Sequence, residues 1–439
     1  MKLVPCFIPY GFIVNIIPTL HVMHVTAFHI SHSTVPTKTT NRLEKTRINV
    51  STHNPQDVLL ATTATSSSYS SSSSSPGEAD RALRQALSFE KAGFIRAAVA
   101  CYHEAATLYQ CFIDSNENDN SLVRGAFAHV TGYASPSSST TTTTTTTKAS
   151  NNNSATTSIP SAAKVLAYTC IKLASLSKDG LGDAKAAARL YRYATLVDSE
   201  PSSLAYDGMG TCIEGAGGKL HEAIAAYRQA LRISPQDSLI LFHLAVALER
   251  VGKNKSEAEE IMEQLRRSDA SIACLVDSWG YVRWHTRRIP NTELNLHRGF
   301  RSMLQLGLDA SKSLMSPTIK GLVCEFGVGN GRSLRLIQEM LPLEYPIHGF
   351  DTFTVTSGLP PSLEGEVYFY RGLFKDTIPT FVNSLSEEYR PFALANIDCD
   401  LYGSTLDILE SMHSRVVPGT VFVFDKYLCH ATWRTDEFR

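Results

Sequence analysis

A short apolar strand, residues 321–326, runs directly into Glu325-Phe326-Gly327-Val328-Gly329-Asn330-Gly331, and helical periodicity begins at once with Arg332. Strand, glycine turn and helix in immediate succession open an α/β unit, and few folds accept that order. The segments that follow keep the alternation. A second strand over 346–350 ends at Asp351, and further strands are expected at 367–371, 393–397 and 420–424, with a helix over 332–340. Short apolar strands alternating with helices predict a doubly wound, largely parallel sheet for 320–439.

In such sheets ligands sit at the carboxyl ends of the strands. Gly327, Gly329 and Gly331 lie just past the first strand and let backbone approach a ligand without side-chain obstruction. Glu325 is placed to receive an ammonium group, directly or through water. Asp351, 20 residues beyond Gly331, is placed to accept hydrogen bonds from both hydroxyls of a ribose. Dinucleotide sites more often space their glycines G-x-G-x-x-G. Here the spacing is G-x-G-x-G after an acid, which suits the amino-acid and ribose parts of S-adenosylmethionine (SAM), a molecule with no pyrophosphate to cradle. A nicotinamide cofactor is the alternative, and it predicts NADH binding.

A second constellation, Asn396-Ile397-Asp398-Cys399-Asp400-Leu401-Tyr402, follows the fourth strand, and the fifth ends in Asp425. Asp398 and Asp400, two apart at a strand end, can face one cleft. With Asp425 they compose a hard-oxygen set for Mg²⁺, or a metal site plus a base. By strand alternation Cys399 points into the core.

The stretches EFGVGNGRS (325–333), HGFDTF (348–353), GLP (358–360), GLFKDTIP (372–379), NIDCDLYGST (396–405), PGTVFVFDKY (418–427) and WRTDEF (433–438) together resemble the macrocin O-methyltransferase family of class I SAM-dependent methyltransferases. The resemblance implies that Glu325, Gly327, Gly329, Gly331, Ser333 and Asp351 hold SAM, and that Asp398 and Asp425 bind a divalent metal such as Mg²⁺. It implies Asp400 as the general base toward a small-molecule acceptor hydroxyl, sugars included. Lys426 stands where the family usually carries an acid, and a cation there would compete with the metal. The family continues past the last of these stretches with a helix and a strand pair. The expectation for 320–439 is therefore a Rossmann-like domain truncated at its C-terminus, a five-stranded sheet with an exposed edge.

Upstream, the chain repeats itself. Tyr191 and Tyr227, Ala194 and Ala230, and Tyr206 and Phe242 each lie 36 residues apart. That period belongs to two-helix solenoid units. Gly217–Ile233 followed by Pro235 resembles a tetratricopeptide (TPR) repeat, with Ala223, Ala226 and Ala230 allowing close helix packing. The expected organisation is a disordered or targeting segment (1–80), TPR-like repeats (81–268) interrupted by a disordered Ser/Thr-rich insert (135–158), connecting helices (269–319), and the α/β domain (320–439). Repeats of this kind offer a surface for a protein partner or for self-association. An interaction scaffold with a weak or inactive methyltransferase domain is thus the alternative to an active enzyme.

Formal net charge is −1, from 41 basic and 42 acidic residues, which gives no electrostatic case for nucleic acid. No run reaches about 18 apolar residues, so no membrane-spanning helix is expected. Nine scattered cysteines without a C-x-x-C pair point away from zinc and toward reduced thiols. The N-terminus leaves the compartment open: Val4 to Ile17 reads as a signal core broken by prolines and 31–50 has a transit-like composition, so organellar targeting is the alternative to a slightly favoured cytoplasmic location.

Overall fold

The computed structural model describes residues 2–8, 11–15, 46–47, 76–116, 159–252, 254–268, 270–288, 299–353, 363, 365–385, 390–399 and 401–425. The Thr/Ser run at 62–75 and the insert at 135–158 lie outside the described residues. The chain divides into two compact units. One comprises 53–272 with 297–300, and the other comprises 1–52, 273–296 and 301–439.

The first unit is a helical solenoid: α1 (Pro76–Lys91), α2 (Ile95–Asn116), α3 (Ile159–Asp179), α4 (Ala184–Val197), α5 (Ser203–Gly215), α6 (Leu220–Ile233), α7 (Ser238–Val251) and α8 (Lys255–Arg266). Caps set their starts: Asp183 accepts from the Ala186 N–H, Ser202 from Leu204, and Asp237 from Leu239 and Ile240. Gly252, at φ 75°, ends α7 in the left-handed conformation. The 36-residue period has a direct structural meaning. Positions one period apart on α5 and α7 pair through their side chains: His243 Nδ1 meets Asp207 at 2.8 Å, and Arg250 binds Glu214.

Tyr191 on α4 and Tyr227 on α6 pack against Gly208 and Gly210 of α5. A Cβ at either glycine would lie 2.4 Å from a ring atom. Gly210→Val should therefore destabilise the solenoid by about 2–3 kcal/mol through overpacking. Chemical denaturation followed by far-UV circular dichroism checks it, and an unchanged midpoint would contradict the packing.

The second unit contains α9 from Ala273 onward (the helix spans Ala270–Arg288), α10 (Phe300–Ser311), and the strand-helix succession β4 (Leu322–Phe326), α11 (Arg332–Met340), β5 (Ile347–Asp351), β6 (Val367–Arg371), α12 (Phe374–Ser384), β7 (Phe392–Ile397), α13 (Tyr402–Met412) and β8 (Val421–Phe424). All five expected strands are present, and they pair in parallel in the order β8-β7-β4-β5-β6. Strands β4 and β7 are buried at every position, which explains why they are apolar except at Glu325 and Asn396.

The structure departs from the expected five-stranded sheet with an open edge. Among the described residues the sheet has eight strands: β1 (Lys2–Ile8) and β2 (Gly11–Asn15) extend it beyond β8, and β3 (Thr46–Arg47) pairs with β6. Strand β2 runs antiparallel to β8, with Asn15 opposite Val421 and Phe12 opposite Phe424. Strands therefore form within residues 1–80, where the sequence alone predicts a disordered or targeting segment. The physical reason is edge pairing: the backbone groups of β8 gain partners from residues distant in sequence.

Candidate active site

The chain leaves β4 toward β5 and β6 on one side, then returns across β4 to build β7 and β8 on the other. The crevice beyond the carboxyl ends of β4 and β7 is the switch point, where open α/β sheets bind ligands. The candidate residues lie around it.

Gly327 has φ 92°, and its N–H donates to the Phe350 carbonyl at 2.9 Å. A Cβ there would stand 2.0 Å from the Asp398 carbonyl oxygen, so the turn runs against the end of β7. Gly329, at φ 53°, is different. A Cβ at that position would meet nothing within 4 Å, and its N–H donates to Asp351 Oδ2 at 2.9 Å. Gly331, at φ 75°, precedes the first turn of α11.

Asp351 ends β5. Its Oδ1 accepts from the Phe353 N–H at 3.0 Å while Oδ2 holds Gly329, so one carboxylate ties the glycine turn to the β5 end. Oδ1 also accepts from the Thr352 hydroxyl at 3.3 Å, so it is Oδ2 that retains a further lone pair for an incoming hydroxyl. Phe353 is fully buried at φ 44°, with its ring 5.4 Å from Phe369, which makes it a core residue. Arg371, in register with Asp351, donates to the carbonyls of Thr352 and Phe353 and steadies this strained turn.

Glu325 has no exposed surface, which removes direct contact with an ammonium group and leaves only a relayed one. Ser333, in the first turn of α11, donates its hydroxyl to Glu325 Oε1. Burial pushes the Glu325 carboxyl well above the usual carboxylate range. Asp398 and Asp351 push it the same way, against the hydrogen-bonding influence of Ser333 and Asn396. Asp351 and Asp398 thus lie in the electrostatic neighbourhood of a buried carboxyl that favours its protonated form.

Asp398 and Asp425 follow β7 and β8, whose last residues pair in register. Asp425 donates its N–H to the Ile397 carbonyl at 3.0 Å, and Asp398 donates to Phe326 at 2.8 Å. Asp400 and Lys426 lie outside the described residues, as do 354–362 and 433–438. Among the described residues no three His, Cys, Asp or Glu side chains gather as a metal cluster. Mg²⁺ is compatible with one or two carboxylates plus substrate oxygens and water. The Asp398–Asp425 pair fits that donor chemistry.

His348 and His413 make contacts within the fold. His348 is buried among Tyr368, Tyr370 and Phe381, with Nδ1 3.1 Å from the Tyr370 hydroxyl. His413 lies against the Glu410 carbonyl. Cys399 is buried with Sγ 3.3 Å from Thr405 Oγ1. Sequence reasoning missed Arg371 and Asn396. A lone cation and a lone amide carry no local pattern, and only strand register places them beside Asp351 and Glu325.

Comparison with known proteins bears on this domain and on the solenoid. Residues 357–439 match the family model described as Macrocin-O-methyltransferase (TylF), and residues 215–252 match a TPR repeat. Mycinamicin III 3''-O-methyltransferase of Micromonospora griseorubida is 35% identical over 65 residues, which is 15% of this chain and 23% of that protein. The chain therefore spans about a quarter of the length of this curated relative. The apo structure of CalS11, a TDP-rhamnose 3'-O-methyltransferase of calicheamicin biosynthesis, is similar at 21% identity over 42% of this chain and 84% of that one, with a TM-score of 0.25. No described helix is long and apolar enough to cross a membrane. The chain carries a macrocin O-methyltransferase family domain at its C-terminus, preceded by a TPR repeat.

Proposed function

We propose that the C-terminal domain is a SAM-dependent O-methyltransferase acting on a hydroxyl of a small molecule, with sugars the first class to test. The observation that carries this reading is the clasp at the switch point. Asp351 holds the Gly329 N–H, and the space above Gly329 is open. Asp351 and Asp398 lie close enough to Glu325 to raise its pKa. A ligand bearing a sulfonium, an ammonium and a ribose matches that combination of negative charge and free acceptor sites. The curated relative is an O-methyltransferase by name, which supports the same reaction class.

In this reading the backbone of Gly327 to Gly331 forms the cofactor wall, and Asp351 accepts from the ribose hydroxyls. SAM would supply an electrophilic methyl group, and Asp398 and Asp425 would hold a divalent ion such as Mg²⁺, whose chemistry would be to polarise the acceptor oxygen. Asp400 takes the proton of the acceptor hydroxyl as the methyl transfers in line. The TPR-like unit serves a protein partner or self-association.

Isothermal titration of SAM into the full chain, with and without Mg²⁺ and beside Asp351→Ala, tests the proposal. Binding in the micromolar range that weakens at least about thirtyfold in the variant is expected, from the loss of two hydrogen bonds to a charged acceptor. A folded wild-type chain that takes up no SAM would favour the scaffold reading, and preferential NADH binding would favour the oxidoreductase.

A further inference from the structure

Asn396 lies within β7 with no exposed surface, directly opposite Glu325 of β4 in the parallel register. Residues paired in this way project from the same face of the sheet. Neither the Oδ1 nor the Nδ2 of Asn396 has a hydrogen-bond partner in the structure, and neither does Glu325 Oε2. The carboxamide is nonetheless close enough to Glu325 to act on its ionisation. Helix α10 covers the strands beside it, with the Gly307 Cβ position 3.0 Å from side-chain atoms of Leu394 and Val423. Apart from Glu325 these neighbours are apolar, a setting a leucine at 396 would also fill. In the ligand-free protein that influence on Glu325 is all that offsets desolvation of the carboxamide, and buried polar atoms without a formed hydrogen bond call for a reason.

We propose that Asn396 is a positioning residue for the cofactor turn. Its carboxamide N–H donates to Glu325 Oε2 when the site is filled. Glu325, already held by the Ser333 hydroxyl, then fixes the start of α11 and with it the glycine turn. The inference rests on the reading of that turn as the SAM site.

The test compares Asn396→Leu, Asn396→Ser, Glu325→Gln and the Asn396→Leu/Glu325→Gln double variant in the full chain. SAM affinity is measured by titration calorimetry and stability by thermal melting without SAM. Asn396→Leu should melt no lower than wild type, because two orphaned polar atoms are removed, yet bind SAM about tenfold or more weakly. The double variant should bind no more weakly than the poorer single variant, the mark of two residues acting as one unit. Wild-type affinity in Asn396→Leu, or additive losses in the double variant, would overturn the proposal. If the leucine variant does not fold, Asn396→Ser carries the same comparison, with the same two outcomes. Failure of the wild-type chain to bind SAM would refute the cofactor reading and this inference with it. Loss in Asp351→Ala with retention in Asn396→Leu would refute the inference alone.

Discussion

A Gly327→Ala variant should melt at a markedly lower temperature and lose the proposed cofactor, whereas Gly329→Ala should keep most of its stability and lose affinity alone. The two glycines are two residues apart in one turn, and both have positive φ, 92° and 53°. Their surroundings separate them. At Gly327 a methyl group would sit 2.0 Å from the Asp398 carbonyl oxygen, a backbone atom that cannot swing aside. The turn and the end of β7 must then part. Strain in the backbone of an L-residue costs about 1–2 kcal/mol and overpacking about 1–3 more, so a loss near 3 kcal/mol is expected. At Gly329 the same methyl meets open space, and only the backbone term remains, about 1 kcal/mol. That open space is where the cofactor would lie, so the methyl there obstructs binding. Calorimetric melting and SAM titration on both variants separate the effects. Equal stability losses would show that the turn does not pack on β7 as described.

The second large effect is expected in the solenoid. Glu214 has a fully buried side chain that accepts from the Tyr227 hydroxyl at 2.8 Å and binds Arg250, whose side chain is 27% exposed. Arg250→Ala removes the cation and leaves a buried carboxylate, a change that typically costs 3–5 kcal/mol. The partial exposure of Arg250 puts the expected loss near the lower end, about 3 kcal/mol. Burial already holds the Glu214 carboxyl above its ordinary value, against the opposing pull of Tyr227, Arg250 and His243. A raised carboxyl favours the folded state when protonated. That contribution is complete below the unfolded-state pKa and is lost as pH rises through the folded one. Without Arg250 the carboxyl rises further, so the destabilisation should be small near pH 4 and grow toward pH 8. Urea unfolding of wild type and variant across that range measures it. A destabilisation independent of pH would mean that Arg250 contributes by packing its stem and not by its charge.

Much of the site could be read in the sequence because its groups are local. The segment from Glu325 to Ser333 is strand, turn and first helical turn in one stretch, and each glycine there has the positive φ that glycine permits. Asp351 and Asp425 mark strand ends, where an apolar run stops at a carboxylate. The repeats were equally legible, since a 36-residue period is a property of the chain itself. The role of Glu325 was legible only in part. Its place beside the turn follows from spacing, but its complete burial depends on α11 lying over it.

The sequence by itself determined the order of the five parallel strands within 320–439, the α/β character of that domain, the solenoid before it and the acids at the strand ends. Periodicity, glycine spacing and capping are short-range properties, and they act before any distant contact forms. Only the tertiary structure decided which strands are neighbours. Register sets Asn396 against Glu325 and Arg371 against Asp351, and it lays β2 along β8 from the opposite end of the chain. Those pairings join residues from about 20 to more than 400 positions apart. Hydrogen-bonding partners at such distances are selected by the geometry of the assembled sheet, and no local pattern encodes them.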